Sequence, residues 1–302
     1  MRKRGFSGER RFFPAAKPAP LKQKSGGNRK RVPVVNGIFY PENPELLIDQ
    51  LASWGLKEGV CSAFGGQTII APHGAWNRSG SAAGAAFASI QKNELAPNKG
   101  INRVILLGPC HNSGEEGIYL SDSFSFDTPL GNLAVDLKLN RELASCSSLI
   151  KVNDVPHLLE HCLEVLLPLV KFCLGEVKII PILVNGSRPV LISELTGAFQ
   201  GILKNYLDES LLVISSNASR NMDPVLALSM AGEFSSLLSD MDTEAFSAGL
   251  GQGRINACGA AIIAALLESG LLHGQQFSSL TPLSHSTEDD GETVYYGAFT
   301  TG

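Results

Sequence analysis

Three apolar segments of this sequence end in polar side chains of the kind that bind transition metals. The segments are residues 69–72 before His73, residues 104–110 before His111, and residues 212–214 before the polar stretch 215–217. Because functional sites of α/β sheets form at the carboxyl ends of strands, we expect these polar ends to lie close together. Two neutral imidazoles in such a place are the beginning of a divalent metal site. Taken singly, each histidine also fits an ordinary hydrogen-bonded loop residue.

A cysteine near the carboxyl end of the chain could complete such a site. Cys258 comes just before, or within, the start of a predicted Ala-rich helix at Ala257–Glu268. A helix N-terminus lowers the pKa of a thiol, so Cys258 is a candidate thiolate ligand or nucleophile. The alternative is a small buried side chain, which is the usual role of a free cysteine.

A third polar pattern, H-x-x-E-H, occupies residues 157–161. On the predicted helix His157–Phe172, the side chains of His157, Glu160, His161 and Glu164 would share one face. The rest of that helix is apolar, so we predict that these side chains bind a metal or support its ligands by hydrogen bonds. The same pattern also marks one group of zinc metalloproteases, which is kept as a remote alternative.

Short apolar strands alternate with helices along the chain, and these elements must position the polar ends. The predicted strands are Thr68–Ala71, Arg103–Leu107, Val177–Val184, Leu211–Ser215, Ser279–Ser286 and Thr293–Phe299. The other predicted helices are Ser81–Gln91, Val135–Ala144, Pro189–Tyr206 and Pro224–Leu238. Alternation of this kind predicts one α/β domain with a largely parallel central sheet flanked by helices. The last two strands have no helix between them, so we expect the sheet to be mixed.

The amino-terminal part of the chain differs from the rest in charge. Residues 1–31 hold eleven lysines and arginines and a single acid, although the net charge of the whole chain is -4. We therefore predict a disordered basic tail at residues 1–33 and a folded domain at residues 34–302. The tail could be a solvated extension, an organelle transit peptide, or a contact to nucleic acid or anionic lipid. Nucleic acid is disfavoured as a partner of the folded domain, which is acidic.

The spacing of the six cysteines indicates the cellular location. They stand singly at positions 61, 110, 146, 162, 173 and 258, with no C-x-x-C pair. Single cysteines favour a reduced, intracellular protein, and we expect a cytoplasmic location. We expect no membrane span, because apolar runs of 18 or more residues do not occur.

Ordered sequence blocks resemble the Memo family, whose bacterial and archaeal members are called AmmeMemoRadiSam system protein B. The matching blocks are APHGAW at 71–76 (family APHAGY), LGPCH at 107–111 (LGPSH), TPLG at 128–131 with Asp136, HLLEHCLEVLLP at 157–168 (HxxEHSLEVQLP), VISS at 213–216 (ViSSD) and CG at 258–259. Together with a closing strand motif they span roughly residues 68–300. The H-x-x-E-H pattern is absorbed into these blocks, which argues against a protease.

The resemblance implies the fold of class III extradiol dioxygenases and a metal pocket. It implies His73, His111 and Cys258 as ligands of a divalent iron, copper or zinc ion. The family has a further acid and histidine in its SSDFSH block, where this chain has Asn217 and Arg220. An arginine stays protonated and cannot bind a metal. Whether a metal binds at all therefore stays open at this point.

Two functions remain in view from the sequence. One is a binding or regulatory protein with a partly degenerate metal pocket, in which Arg220 would favour an anionic small molecule or peptide. The other is a non-haem metal-dependent redox or dioxygenase-like enzyme that uses His73, His111 and Cys258. We predict Asn217 and Arg220 at the pocket wall, and Glu160, His161 and Glu164 as supports of the ligands.

Overall fold

Strands and helices alternate through most of the chain that the computed structural model describes, namely residues 29–63, 66–91, 100–112 and 114–302. The helices are α1 (Pro44–Ser53), α2 (Trp76–Ser89), α3 (Leu137–Ala144), α4 (Val155–Leu158), α5 (Leu167–Leu174), α6 (Pro189–Gly201), α7 (Pro224–Ser239), α8 (Thr243–Gly251) and α9 (Ala260–Ser269). The strands are β1 (Lys30–Arg31), β2 (Thr68–Ala71), β3 (Arg103–Pro109), β4 (Gly117–Leu120), β5 (Ser125–Thr128), β6 (Gly131–Val135), β7 (Ile150–Val152), β8 (Lys178–Asn185), β9 (Ser210–Ser215), β10 (Ser219–Asn221), β11 (Phe277–Ser279), β12 (Ser284–Thr287), β13 (Thr293–Tyr296) and β14 (Phe299–Thr301). Short 3₁₀ turns cover Glu164–Leu166 and Leu203–Glu209.

The main sheet is mixed, as the sequence predicted. Within the described residues its strands follow the order β1-β5-β6-β8-β3-β9-β2-β14-β11, and β4 and β7 extend it beside β8. The central run β6-β8-β3-β9-β2 is parallel throughout. Strand β14 pairs with β2 in antiparallel orientation, and β11 pairs in the same way with β14. The chain therefore forms a mixed α/β domain with the polar strand ends at one edge of its parallel centre.

Apolar side chains pack on both faces of this sheet, which explains why its central strands are uninterrupted apolar runs. Successive residues of a strand point to opposite faces. In β3, Leu106 packs with helices α1, α2 and α5 on one face, whereas Ile105 packs with α3, α6, α7, α8 and α9 on the other. In the described part of the chain, no helix is long and apolar enough to cross a bilayer.

The predicted helix His157–Phe172 is wrong as a single element. The structure has the short α4, a loop at 159–163, a 3₁₀ turn and then α5. Pro168 is one cause, because a proline in a helix interior lacks the backbone N–H that the helix needs. The carboxylate of Glu160 is another, since it accepts the backbone N–H groups of His161 and Cys162, each at 3.1 Å, and so closes a turn.

The two predicted closing strands are each divided between two sheets. Residues 280–283 separate β11 from β12, and residues 297–298 separate β13 from β14. β12 and β13 form a second, three-stranded sheet with β10, whereas β11 and β14 belong to the main sheet. The small sheet lies beyond the end of β9 and thus reaches over the polar edge.

The folded part begins earlier than residue 34. Lys30 and Arg31 form β1, which pairs in parallel with β5, and the Arg31 side chain is buried. An arginine can be buried there because it forms an ion pair with a buried carboxylate, that of Glu164. The remaining part of the predicted tail, residues 1–28, lies outside the described residues.

Candidate metal centre

Three neighbouring strand ends bring the candidate side chains together. β9 lies between β3 and β2 in the sheet, so His73 after β2 and His111 after β3 flank the residues that follow β9. The backbone N–H of Ser216 donates to the carbonyl of Ala71 at 2.9 Å and ties two of these ends together. The convergence follows from parallel strand order rather than from closeness along the chain.

His73, His111 and Cys258 form one compact group of donor atoms. One nitrogen of each imidazole and the Cys258 sulfur all lie within 4.8 Å of one another. The ring centroids of the two histidines are 5.2 Å apart with the rings nearly edge to face. The three residues that the sequence singled out as ligands thus meet at one point.

The tautomer of His73 follows from its hydrogen bonds. Its Nδ1 lies 2.9 Å from Ser215 Oγ, and that hydroxyl donates its only hydrogen to the carbonyl of Cys162 at 2.7 Å. Nδ1–H must therefore be the donor to Ser215, which leaves a lone pair on Nε2. Nε2 is buried and has no hydrogen-bond partner among the described residues. Burial and the nearby charges of His111, His161 and Arg220 hold the pKa of His73 well below its ordinary value.

His111 is oriented by a buried carboxylate. Glu160 accepts from the backbone N–H of His111 at 2.6 Å and from its Nδ1 at 2.9 Å. Burial disfavours the protonated ring, but the hydrogen bonds and charges of Cys258 and Glu160 outweigh it and raise the pKa of His111 to about 9. The same acceptors make the space beside this ring favourable for any cation. Carboxylate support of this kind accompanies most metal-binding histidines.

Cys258 is held at the group by the residue after it. Gly259 donates its N–H to Ser216 Oγ at 2.9 Å. A Cβ at position 259 would lie 2.8 Å from the Cβ of Ser216, so a larger residue would push this loop away from β9. Cys258 itself is half-buried, directly before α9 begins at Ala260.

His161, which the sequence predicted as a support of the ligands, packs against both candidate ligand histidines and lines the cavity. Its ring stacks on His111 with centroids 5.2 Å apart and stands 5.8 Å from the ring of His73. The ring of Phe39 also packs on His161, with the centroids 5.2 Å apart and an angle of 67° between the ring planes. Because Nδ1 faces Glu160 at 3.4 Å, the opposite edge of the His161 ring is directed to the pocket that it lines.

Glu164 does not support the ligand group, contrary to the sequence prediction. Its carboxylate accepts from Val34 N and Val35 N at 2.9 Å, from the Tyr40 hydroxyl at 3.0 Å, and from Arg31. These bonds anchor the amino-terminal segment that carries Phe39 to the pocket. Glu164 therefore acts on the site indirectly, through the position of this segment.

His157 also lies away from the group, and this removes the protease interpretation. Its Nε2 bonds to the carbonyl of Tyr119 at 3.1 Å, and the side chain is buried. A zinc site of the H-x-x-E-H type needs both histidines on one helical face. Because α4 ends at Leu158, His161 is not on the helix of His157.

Asn217 and Arg220 lie at the pocket wall. Asn217 Oδ1 accepts the backbone N–H of His73 at 3.1 Å, so this amide holds the histidine loop. Arg220, on β10, donates from Nε to Glu292 at 2.8 Å and forms an ion pair with it. The sequence suggested that this guanidinium binds an anionic ligand, but in the structure it is already paired with Glu292.

A cavity of about 650 Å³ opens in front of the ligand group. Its lining includes the residues Ile38, Phe39, His73, Asn77, Arg78, His111, His161, Asn217, Arg220, Cys258, Glu288, Asp289, Asp290 and Tyr296. Sequence reasoning missed the contributions of residues 38–39 and 288–290, which come from segments far from the motifs. The only available signal was the acidic run 288–292 before the closing strand.

Comparison with known proteins places the chain in a family. The profile of the family described as Memo-like protein matches residues 31–299. The chain belongs to the Memo family. It is 27% identical to a MEMO1 family protein of Nitrosopumilus maritimus, over 89% of this chain and 98% of that protein. It is 25% identical to one of Thermoplasma volcanium, over 88% and 94% of the two chains.

A further relative and one solved structure complete the comparison. A MEMO1 family protein of Thermotoga neapolitana is 26% identical over 87% of this chain and 95% of its own length. An uncharacterized protein from Escherichia coli K12 has a crystal structure with a TM-score of 0.48 and 12% identity, covering 78% of this chain and 99% of that one. Membership of the Memo family thus rests on sequence similarity over nearly the whole folded part.

Proposed function

We propose that this Memo family protein binds one redox-active transition-metal ion through His73, His111 and Cys258 and acts on an organic molecule held in the adjoining cavity. Two observations at His73 carry the proposal: its buried Nε2 has no hydrogen-bond partner among the described residues, and one of its ring nitrogens lies within 4.8 Å of the donor atoms of His111 and Cys258. A buried polar atom left unpaired costs about 1–3 kcal/mol. A metal ion bound to Nε2 would remove this cost.

The donor set fits such an ion. Two imidazole nitrogens and one sulfur are ligands that iron, copper and zinc all accept, and three protein ligands leave coordination positions open for a small molecule. When bound, iron or copper would supply electron transfer to or from that molecule. Ser215 and Glu160 each bind the Nδ1 of one ring, so Nε2 is the atom of His73 that is free for a metal and the atom of His111 that would bind one after losing its proton. His161 and Tyr296 line the cavity, and hydrogen bonds with Glu288 at 3.0 Å and Ser286 at 2.8 Å hold the Tyr296 hydroxyl in place.

The binding-protein alternative rested on the absence of the family's acid and histidine at Asn217 and Arg220, and it took Arg220 as the group that would attract an anion. The second part of that argument is weakened, because Glu292 pairs with the Arg220 guanidinium. An anionic ligand would therefore have to displace a carboxylate of the protein. The cavity lining also carries Glu288, Asp289 and Asp290, of which Arg78 pairs with the first two, so the acids outnumber the arginines and disfavour anions.

Metal titration followed by oxygen measurements tests this proposal. Protein stripped with a chelator should take up one cobalt(II) or zinc(II) ion per chain, and the cobalt form should show the near-ultraviolet absorption of a thiolate–cobalt bond. With a reductant present, the iron- or copper-loaded protein should consume dioxygen faster than the zinc-loaded protein. Failure to retain any of these metals would overturn the proposal, and retention without redox turnover would contradict its redox part.

Glu160→Gln is expected to weaken metal binding by about 10- to 100-fold, as loss of a supporting carboxylate usually does. The carboxylate accepts four N–H groups, two of them from His111. An amide presents one oxygen and adds a donor that faces those donors, so the ring of His111 loses its support. Competition with a chelator at fixed pH measures the effect. Equal affinities in the two proteins would mean that His111 is not a ligand.

Glu292→Gln is expected to weaken metal binding by about fivefold, because it leaves the positive charge of Arg220 unpaired near the bound cation. The Arg220 charge already acts on His73 and is felt at Cys258. The double variant Arg220→Gln with Glu292→Gln serves as the control and should bind at least as tightly as wild type. If the single variant also matches wild type at low salt, Arg220 lies too far away to influence the site.

A further inference from the structure

Cys258 borders a second cavity in addition to the one described above. This cavity has a volume of about 390 Å³ and lies between the end of β3, the segment after β8 and the start of α9. Cys110, the residue directly before His111, lines the same cavity. The candidate ligand Cys258 and a second cysteine, Cys110, therefore line the same cavity.

A third thiol lies beneath these two. Cys162 is fully buried, and its Sγ donates to the carbonyl of Pro109 at 3.0 Å. Burial first, and then Glu160, Cys110 and Cys258, raise the pKa of Cys162 well above its ordinary value. Its hydrogen bond and its burial keep it as an unreactive thiol.

Two of the three thiols stand at positions where the family pattern has serine. LGPCH at 107–111 has Cys110 in place of the serine of LGPSH, and HCLEVLLP at 161–168 has Cys162 in place of the serine of HSLEVQLP. Cysteine is close to serine in size, but its sulfur can be oxidised to a sulfenic acid or a disulfide, which a serine hydroxyl cannot. Because the family pattern has serine at positions 110 and 162, we expect Cys110→Ser and Cys162→Ser to fold.

From this arrangement we infer that Cys110 and Cys258 are a redox pair, which a hydroperoxide converts into a disulfide that removes the ligand sulfur from the metal group. A hydroperoxide first transfers one oxygen to the Cys258 sulfur; its O–O bond breaks, the sulfur becomes a sulfenic acid and the peroxide leaves as an alcohol or water. The Cys110 sulfur then attacks the Cys258 sulfur. The S–S bond forms as the S–O bond breaks, and the hydroxyl leaves with the Cys110 proton as water.

The pair protects the site because a sulfenic acid without a partner thiol is oxidised further and irreversibly. A thiol that borders the same cavity can intercept it, and a reductant can then restore both thiols. The inference rests on the proposed function only for its consequence, the loss of a metal ligand. Disulfide formation itself can be measured on metal-free protein.

The test uses the full chain as wild type, Cys110→Ser and Cys162→Ser, each metal-free and zinc-loaded, treated with hydrogen peroxide. Peptide mass spectrometry without reduction should find the disulfide 110–258 in wild type and in Cys162→Ser. Zinc release should accompany it, and dithiothreitol should reverse both changes. In Cys110→Ser we expect no disulfide at Cys258, and dithiothreitol should fail to restore zinc binding.

Three results would overturn the inference: a disulfide between Cys110 and Cys162, no disulfide at all, or full recovery of Cys110→Ser by dithiothreitol. These outcomes are distinct from failure of the proposed function. If the disulfide forms but the reduced protein never binds zinc, the metal proposal alone fails. If zinc binds and no disulfide forms, the redox pair alone fails.

Discussion

Cys258→Ala should weaken binding of cobalt(II) or zinc(II) by about 100- to 1000-fold. Structural zinc sites contribute about 10–16 kcal/mol through four ligands, so one ligand accounts for roughly 2.5–4 kcal/mol of binding. Among the described residues, the sulfur belongs with His73 and His111 to a group of three donors that lie within 4.8 Å of one another. Its loss should also abolish the near-ultraviolet absorption of the cobalt form, because that absorption requires a thiolate. Chelator competition and the cobalt spectrum measure the two effects.

Cys146→Ser is the matched control, because Cys146 is exposed and belongs to no candidate metal group among the described residues. It should bind metal as wild type does and keep the cobalt–thiolate absorption. Circular dichroism should establish that both variants are folded before affinities are compared. If Cys258→Ala retained wild-type affinity and absorption, the assignment of the sulfur as a ligand would be wrong.

Arg31→Met should lower the free energy of unfolding by about 3–5 kcal/mol, the usual result of removing one partner of a buried ion pair. The side chains of Arg31 and Glu164 are 2% and 0% exposed. Arg31 also donates to the backbone carbonyls of His157 at 3.1 Å and Glu160 at 2.8 Å. Methionine fills a similar volume but leaves the carboxylate and both carbonyls without these donors. Urea denaturation of metal-free protein measures the change.

Arg29→Met is the control for this experiment. Its guanidinium is 46% exposed and lies 3.9 Å from Asp122, so the substitution should change stability by no more than about 1 kcal/mol. Because Arg31 anchors the segment that carries Phe39 to the cavity, Arg31→Met should also increase cleavage by trypsin near the amino terminus. A stable Arg31→Met protein with unchanged cleavage would show that this segment is held by its other contacts.

Much of the candidate site could be predicted from sequence because its signals are local. His73 and His111 each follow an apolar strand that a proline helps to end, and Cys258 precedes an Ala-rich helix. In a parallel sheet such ends meet at one edge, so the three residues could be expected to converge. The structure brings their donor atoms together as this argument requires.

The interval from His157 to Phe172 could not be predicted from local pattern. Its apolar periodicity favours one helix, but the carboxylate of Glu160 binds the backbone of His111, 49 residues away, and stops the helix. A tertiary hydrogen bond to a buried carboxylate outweighs the small differences in helix propensity that sequence patterns report. The sequence therefore predicted His157 and His161 on one helical face, whereas the structure places them in two separate environments.

The sequence by itself determined which segments are buried strands, where they end and which ligand types stand at those ends, since burial on both faces requires uninterrupted apolar runs. Only the tertiary structure decided the partners of the buried and paired charges. Arg31 and Glu164 are 133 positions apart, and Arg220 and Glu292 are 72 positions apart. Electrostatic attraction depends on distance in space and not on separation along the chain. For this reason the same arginine that suggested an anion site from sequence is neutralised by its own protein in the fold.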